Sequence, residues 1–263
     1  MTDLFAFGNA LQPLGAEGRY GTAGDLKKTQ YVMQLLGFPG DPDTLKCLIT
    51  AAEKGIEIES GVIEMSRGAE RSDDYRSISP NAVVPALKEA HYQVAGDLAI
   101  ISFIEGRGLG NRLPPRNAKV LAEQDYWVDI ARTVVDPQVR SILHERVLKG
   151  MADENAPPDQ SAVDTARAAL APALDALDAR LAAGRFIVGD YSYADIHWTA
   201  YVHLLIVAGD GDLVDDRANL RDWFLRIKQH KSFSGQNLVA FDLLPSLDDI
   251  RACRMKDVVI TDF

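Results

Sequence analysis

At residues 106–115 (GRGLGNRLPP) the sequence changes its period, and that change constrains the fold more than any other feature. Ahead of it, short β-favouring runs alternate with a helical one; behind it, the apolar runs have helical spacing. A Gly/Pro-rich stretch between two such halves reads as a linker between domains. Residues 31–38 are a β-favouring run, 43–54 have the spacing of a helix that ends at Gly55, and 56–65 alternate like a strand. Together they make a βαβ unit. After a charged loop, 82–87 and 91–94 read as two more strands and 97–105 as a closing helix. Behind the linker, 119–133, 164–181 and 219–229 read as helices, with the NAPPD stretch at 155–159 as a loop. Leu170, Leu174, Leu177 and Leu181 share one face of the second of these. The sharpest local signal is Ser192, three residues ahead of Asp195 and just before a long apolar run; a hydroxyl and a carboxylate at that spacing form a reciprocal capping box. A buried helix is expected to start there.

Composition excludes several partners. Twenty-eight Lys and Arg against 38 Asp and Glu leave a formal charge of −10, which repels phosphate backbones and anionic lipid surfaces. No nucleic acid and no membrane is expected as a partner. The apolar stretch near 201–208 is less than half of a spanning helix and carries His203, and the first residues lack the basic start of a signal peptide. At 263 residues, burial of roughly 75% of the unfolded surface supports folding without disulfides or a structural metal. Two cysteines, Cys47 and Cys253, make no framework, and the expected compartment is the reducing cytoplasm. No His, Cys, Asp and Glu pattern has metal-ligand spacing, so no metal is expected.

The expected organisation is an N-terminal arm over 1–30 rich in turn formers, an α/β domain over 31–106, a linker over 107–115, an all-helical domain over 116–250 and a tail over 251–263. Residues 79–87 (SPNAVVPAL), 96–105 (GDLAIISFIE), 186–198 (FIVGDYSYADIHW) and 217–233 carry a resemblance. In this order and spacing they resemble the cytosolic glutathione transferase superfamily, nearest in flavour to the tetrachlorohydroquinone reductive dehalogenases and their zeta-class relatives. The resemblance implies a thioredoxin-like α/β N-terminal domain followed by an all-α C-terminal domain, glutathione as co-substrate and a two-fold homodimer.

The residues support that implication in physical terms. A proline after Val84 removes a backbone donor and makes a cis bond accessible, which turns the Val84 polar groups outward at a strand end where an extended peptide can pair with them. Val84 and Pro85, with Asp97 and Leu98 at the start of the next helix, are therefore the candidate glutathione-binding residues. Where relatives carry an acidic residue followed by Ser, this chain has Gly96 and Asp97, so Asp97 is either a cap for its own helix or a contact to the γ-glutamyl ammonium. Relatives place a Ser or Cys at the first βα turn. Here Asp41 and Asp43 stand there, and Thr44 is the nearby hydroxyl. Two carboxylates beside a forming thiolate raise its pKa, the reverse of thiol activation. Thr44, Asp43, Asp41 and the arm phenol Tyr20 are the candidate catalytic residues.

Cys47 lies one turn into its helix and reads as a small core residue. Cys253 has basic neighbours that lower a thiol pKa, and His197 reads as a packed ring. Tyr126 and Trp127, with Arg132 and Arg140 further along the helical half, lie where the family lines its electrophile pocket. Two functions follow: a glutathione-dependent transferase, lyase or reductive dehalogenase acting on a small hydrophobic, aromatic or unsaturated electrophile, or a non-catalytic protein of the same fold that binds a small molecule or a protein partner.

Overall fold

The computed structural model describes residues 33–108, 112–230 and 243–259; the arm over 1–30, with Tyr20, lies outside them. Four short strands form one mixed sheet in the order β2-β1-β3-β4. β1 (Gln34–Gly37) runs parallel to β2 (Glu59–Val62) and antiparallel to β3 (Ala86–Glu89), which pairs antiparallel with β4 (Tyr92–Ala95). The crossover from β1 to β2 is α1 (Pro42–Glu53), and α3 (Asp97–Arg107) packs beside it. A buried cluster of Leu35, Cys47, Leu48, Leu87, Ile100 and Ile104 joins these helices to the sheet. β3 begins at Ala86, later than the run at 82–87 suggests. Ala82 has a positive φ and the Val84–Pro85 peptide is cis, so the chain turns over 82–85 before it can extend. The charged loop ahead of it holds two short 3-10 turns and a four-residue helix, α2 (Asp73–Arg76).

The helical half starts with a rod from Ala118 to Ala152 that is longer than its apolar spacing indicates. α4 (Ala118–Ile130) passes through a π-helical turn (Ala131–Val135) into α5 (Asp136–Leu143), and a second π turn (His144–Leu148) leads into α6 (Lys149–Ala152). The first wide turn ends just before Pro137, which offers no N–H to the carbonyl of Thr133 and clashes with it in a regular turn. α7 (Gln160–Leu181), α8 (Tyr193–Val207), α9 (Asp212–Asp215) and α10 (Ala218–Lys228) complete the bundle. α8 is apolar on nearly all sides and is packed by α1, α4 and α5.

The expected capping box opens α8 and reaches beyond it. Asp195 accepts from Ser192 N–H at 3.1 Å and, on its other oxygen, from Ile187 N–H at 3.1 Å and Trp223 Nε1–H at 2.9 Å. One fully buried carboxylate thus ties α8, the loop before it and α10. Trp198 Nε1–H reaches the Trp127 carbonyl at 3.1 Å and ties α8 to α4.

The C-terminal segment, which has no clear period, crosses back to the sheet. α11 (Leu247–Arg251) carries its own capping box, Ser246 with Asp249, and sets Ile250 against Gly40 and Phe38. Beyond it Val258 and Ile58 exchange both main-chain hydrogen bonds, at 2.9 and 3.0 Å, and Ser60 N–H donates to the Asp257 carboxylate at 2.7 Å. Cys253 packs against the large core, and burial raises its thiol pKa with Glu64 adding to it, the opposite of what its basic sequence neighbours suggest.

Asp195→Ala removes the acceptor from four buried donors, the Ser192 hydroxyl among them, and is expected to cost about 2–4 kcal/mol of unfolding free energy, measured by urea titration. Acid sensitivity should follow from α8 as well. Desolvation lowers the His203 ring from 6.5 to about 4, and the Pro245 carbonyl offsets this in part. Between those values the unfolded chain binds a proton that the folded chain does not, so stability falls as the pH drops through that window. In His203→Gln, urea midpoints between pH 7 and pH 4 should fall less steeply.

Candidate active site

Two domains meet at the N-terminus of α1, where this chain concentrates its buried charge. Gly37 ends β1 so close to α1 that a Cβ there would sit 2.5 Å from Thr44 Cγ2, so only glycine allows the approach. Asp41 caps the helix: one carboxylate oxygen accepts Thr44 N–H at 2.8 Å and Thr44 Oγ1–H at 2.7 Å. Its other oxygen takes Arg140 Nη1–H at 2.7 Å across the domain boundary. Arg140 Nη2–H goes to Asp43 at 2.8 Å, and Nε–H lies 2.9 Å from both oxygens of Asp136. All three faces of that guanidinium are therefore engaged by carboxylates.

A second cation continues the lattice. Lys46, fully buried, donates to Asp43 at 2.7 Å and to Tyr201 Oη at 2.6 Å, and stands 3.5 Å from Asp97. The same Asp97 oxygen receives Arg132 Nη1–H at 2.6 Å. Asp97 is the first residue of α3; Gly96, with a φ of 92°, is the cap residue and supplies no side-chain bond. The Asp97 side chain thus serves as an ion-pair partner between domains.

Burial competes with these pairings at each group. It pushes the Asp41 carboxyl up while Arg140 pulls it down. Burial also raises Asp43, but Lys46 and Arg140 outweigh it and hold the carboxyl below its ordinary range. At Asp97 burial wins, with the charge of Asp43 adding to it, and the carboxyl is held above its ordinary range. Although burial opposes its charge, Arg140 is held above the usual guanidinium range by Asp41, Asp43 and Asp136. His197, 1% exposed, is kept neutral by burial and by the nearby charges of Lys46 and Arg132. Its Nδ1 has no hydrogen-bond partner among the described residues.

The Val84–Pro85 turn leads into β3. Val83 is anchored by Ser79, whose Oγ accepts Val83 N–H at 2.9 Å, and by Tyr75 Oη–H, which donates to the Val83 carbonyl at 2.8 Å. The Pro85 carbonyl accepts Gly96 N–H at 2.8 Å. Between these anchored neighbours, neither the N–H nor the carbonyl of Val84 is hydrogen-bonded to another described residue.

Two family models match the chain. "Glutathione S-transferase, N-terminal domain" covers residues 31–106 and "Glutathione S-transferase, C-terminal domain" covers 140–231, together nearly two thirds of the sequence. The chain belongs to the glutathione S-transferase family. Among curated relatives, glutathione S-transferase F10 of Arabidopsis thaliana is 23% identical over 192 residues, covering 72% of this chain and 88% of its own. Glutathione transferase F7 of Populus trichocarpa shares the fold at a TM-score of 0.69 and 24% identity, covering 77% of this chain and 96% of that structure. So does the beta-etherase LigF of Sphingobium sp. strain SYK-6, at 0.68 and 23%, covering 77% and 97%.

Against this transferase fold the sequence candidates fall into three groups. Asp41, Asp43, Thr44 and Asp97 come together in one charged cluster. Thr44 is fully buried; its hydroxyl gives its proton to Asp41 and accepts Phe38 N–H at 3.3 Å, so both of its roles are taken. Val84 and Pro85 form the turn, while Leu98 is half exposed. The Tyr126 and Trp127 rings meet edge-on at 5.5 Å but differ in burial: Tyr126 is 58% exposed, whereas Trp127 is buried and also edge-on to Trp198. Cys47 is fully buried, its thiol 4.0 Å from the Asp97 carbonyl and pushed well up by burial.

The bonds from Arg140 to Asp41 and Asp43 are what sequence reasoning missed. Asp136 and Arg140 are visible as an i,i+4 pair on one helix, but nothing in the sequence joins Arg140 to a turn 99 positions away. Arg140→Leu strands Asp41, which is 2% exposed, without its counter-charge. The expected loss is about 2–3 kcal/mol by thermal or urea unfolding, less than the about 3–5 kcal/mol of a fully buried pair because a third of the Arg140 side chain meets water. Adding Asp41→Asn should recover part of it.

Proposed function

We propose that this transferase-family protein binds glutathione along Val84 and the start of α3 and delivers its sulfur to a small hydrophobic electrophile. The observation that carries this reading is the Val84 main chain. An N–H and a carbonyl without partners among the described residues, just ahead of β3, suit the main chain of an extended cysteinyl peptide, which adds there as a short strand. In the chemical step the thiol gives its proton to solvent, the thiolate attacks the electrophilic carbon, and the leaving group departs with its electron pair. Aryl conjugation, reductive dehalogenation and the ether cleavage in the name of the LigF neighbour can all begin this way. Pairing into a homodimer, and residence in the cytoplasm, are part of the same proposal; among the described residues no helix is long and apolar enough to cross a membrane.

In this reading Asp41, Asp43 and Thr44 are positioning residues. Their donors and acceptors are spent on one another, on Lys46 and on Arg140. The cation left to face a thiolate is Arg132, which spends one nitrogen on Asp97 and keeps 34% of its side chain exposed. A guanidinium stabilises a sulfur anion electrostatically, as a hydroxyl does by hydrogen bonding.

Calorimetric titration with reduced glutathione is expected to give a dissociation constant below about 1 mM. An analogue N-methylated at the cysteinyl amide should bind at least about tenfold more weakly, because it can no longer donate to the Val84 carbonyl. With 1-chloro-2,4-dinitrobenzene as electrophile, Arg132→Leu should lower kcat/KM by about 10–100-fold. Absence of both binding and turnover overturns the proposal. Binding without turnover favours the second function, a non-catalytic binding protein, which the occupied hydroxyl of Thr44 also supports.

A further inference from the structure

A cavity of about 500 Å³ opens where the linker meets the starts of α4 and α8. Its walls come from residues 112–117, Val120 and 188–192, with none of the residues of the interdomain lattice among them. That volume lies in the range of small-molecule sites. The floor is apolar and fixed: Leu113 and Val188 are buried, Val120 is partly buried, and Pro114 and Pro115 stiffen one wall. The opposite wall is the Tyr191 ring, stacked on His230 at 3.9 Å and set edge-on to Phe186 at 5.5 Å. A flat group entering here would meet an aromatic ring and branched carbons on one side and polar side chains on the other.

The rim is charged against the trend of the molecule. In a chain of net charge −10, Arg112 and Arg116 are both exposed at this opening, and neither guanidinium pairs with a carboxylate among the described residues. Arg140 and Arg167, by contrast, each hold two or more carboxylates. Asn117 spends its side-chain oxygen on capping α4, so it does not compete for them. One carboxylate, that of exposed Asp190, stands at the rim and suits a donor on the ligand.

The geometry points to a site for an aromatic carboxylate separate from the interdomain cleft, with the ring on the Leu113, Val120 and Val188 floor and the carboxylate held by Arg112 and Arg116. A phenolic hydroxyl on the far side of the ring would reach Asp190. The inference does not depend on glutathione chemistry, since every group it uses lies outside that site.

The probe is 6-hydroxy-2-naphthoate, followed by its own fluorescence and by calorimetry on the full-length protein. One equivalent should bind, and the neutral 2-naphthol should bind at least about tenfold more weakly. Arg112→Ser with Arg116→Ser, both exposed, should weaken the naphthoate at least about tenfold without loss of thermal stability. Val120→Trp should narrow the cavity and weaken binding at least about tenfold, and Arg132→Leu in the cleft should leave it unchanged. No binding overturns the inference. So does binding that survives the arginine pair and falls in Arg132→Leu, which would put the naphthoate in the cleft. If Val120→Trp does not fold, the arginine pair and Arg132→Leu decide alone.

Discussion

The rest of this structure depends on how the chain neutralises buried carboxylates at the start of α1. Asp41, Asp43, Asp97 and Asp136 converge there with Lys46, Arg132 and Arg140. Removing an ion from water costs several kcal/mol even after relaxation, and attraction to a partner returns that cost only when the geometry is close and the remaining lone pairs are bonded. Here both conditions hold. Arg140 meets three carboxylates at 2.7–2.9 Å, and Asp41 also takes an N–H and a hydroxyl proton from Thr44. The domains are joined by charge as well as by the apolar contact of α1 with α8, so their relative placement tolerates little change in either set of partners.

That arrangement has a bearing on chemistry. A helix N-terminus offers unpaired N–H groups and a positive field, the resource a thiolate would use. Asp41 takes up the Thr44 N–H and brings a negative charge to the same place. The anion site is thus internally filled. In the proposed reading, positive potential near the cleft comes instead from Arg132, carried by the π turn ahead of Pro137 and a third exposed beside Asp97.

How far the sequence could be read divides along a physical line. Local signals were legible: the Ser192 and Asp195 box, the helix after Gly96, the βαβ period, and the turn at Val84 and Pro85 each depend on residues a few positions apart. The membership of the buried charge cluster was half legible. Asp41, Asp43, Thr44 and Asp97 stand out because they occupy places where relatives differ, whereas the arginines that pair with the three carboxylates lie 35 to 99 positions further on. A pairing of opposite charges leaves no period and no spacing to read. The π turns were not legible either, since they displace the helical register that periodicity assumes. Trp127 shows the cost of that method: its aromatic neighbour Tyr126 has the same composition signal but faces water while Trp127 enters the core.

The pairing of Val258 with Ile58 carries a consequence for the order of events during synthesis. β2 is an outer strand of the sheet, and residues 58 and 60 turn their main-chain groups away from β1, toward the returning C-terminal segment. An unpaired outer strand is a ready surface for pairing with another chain. The α/β half emerges from the ribosome first, yet among the described residues the outer edge of β2 is paired by residues about 200 positions later. Until those residues arrive, the nascent protein presents an open sheet edge, and it is during that interval that neighbouring nascent chains on one message would be exposed to each other.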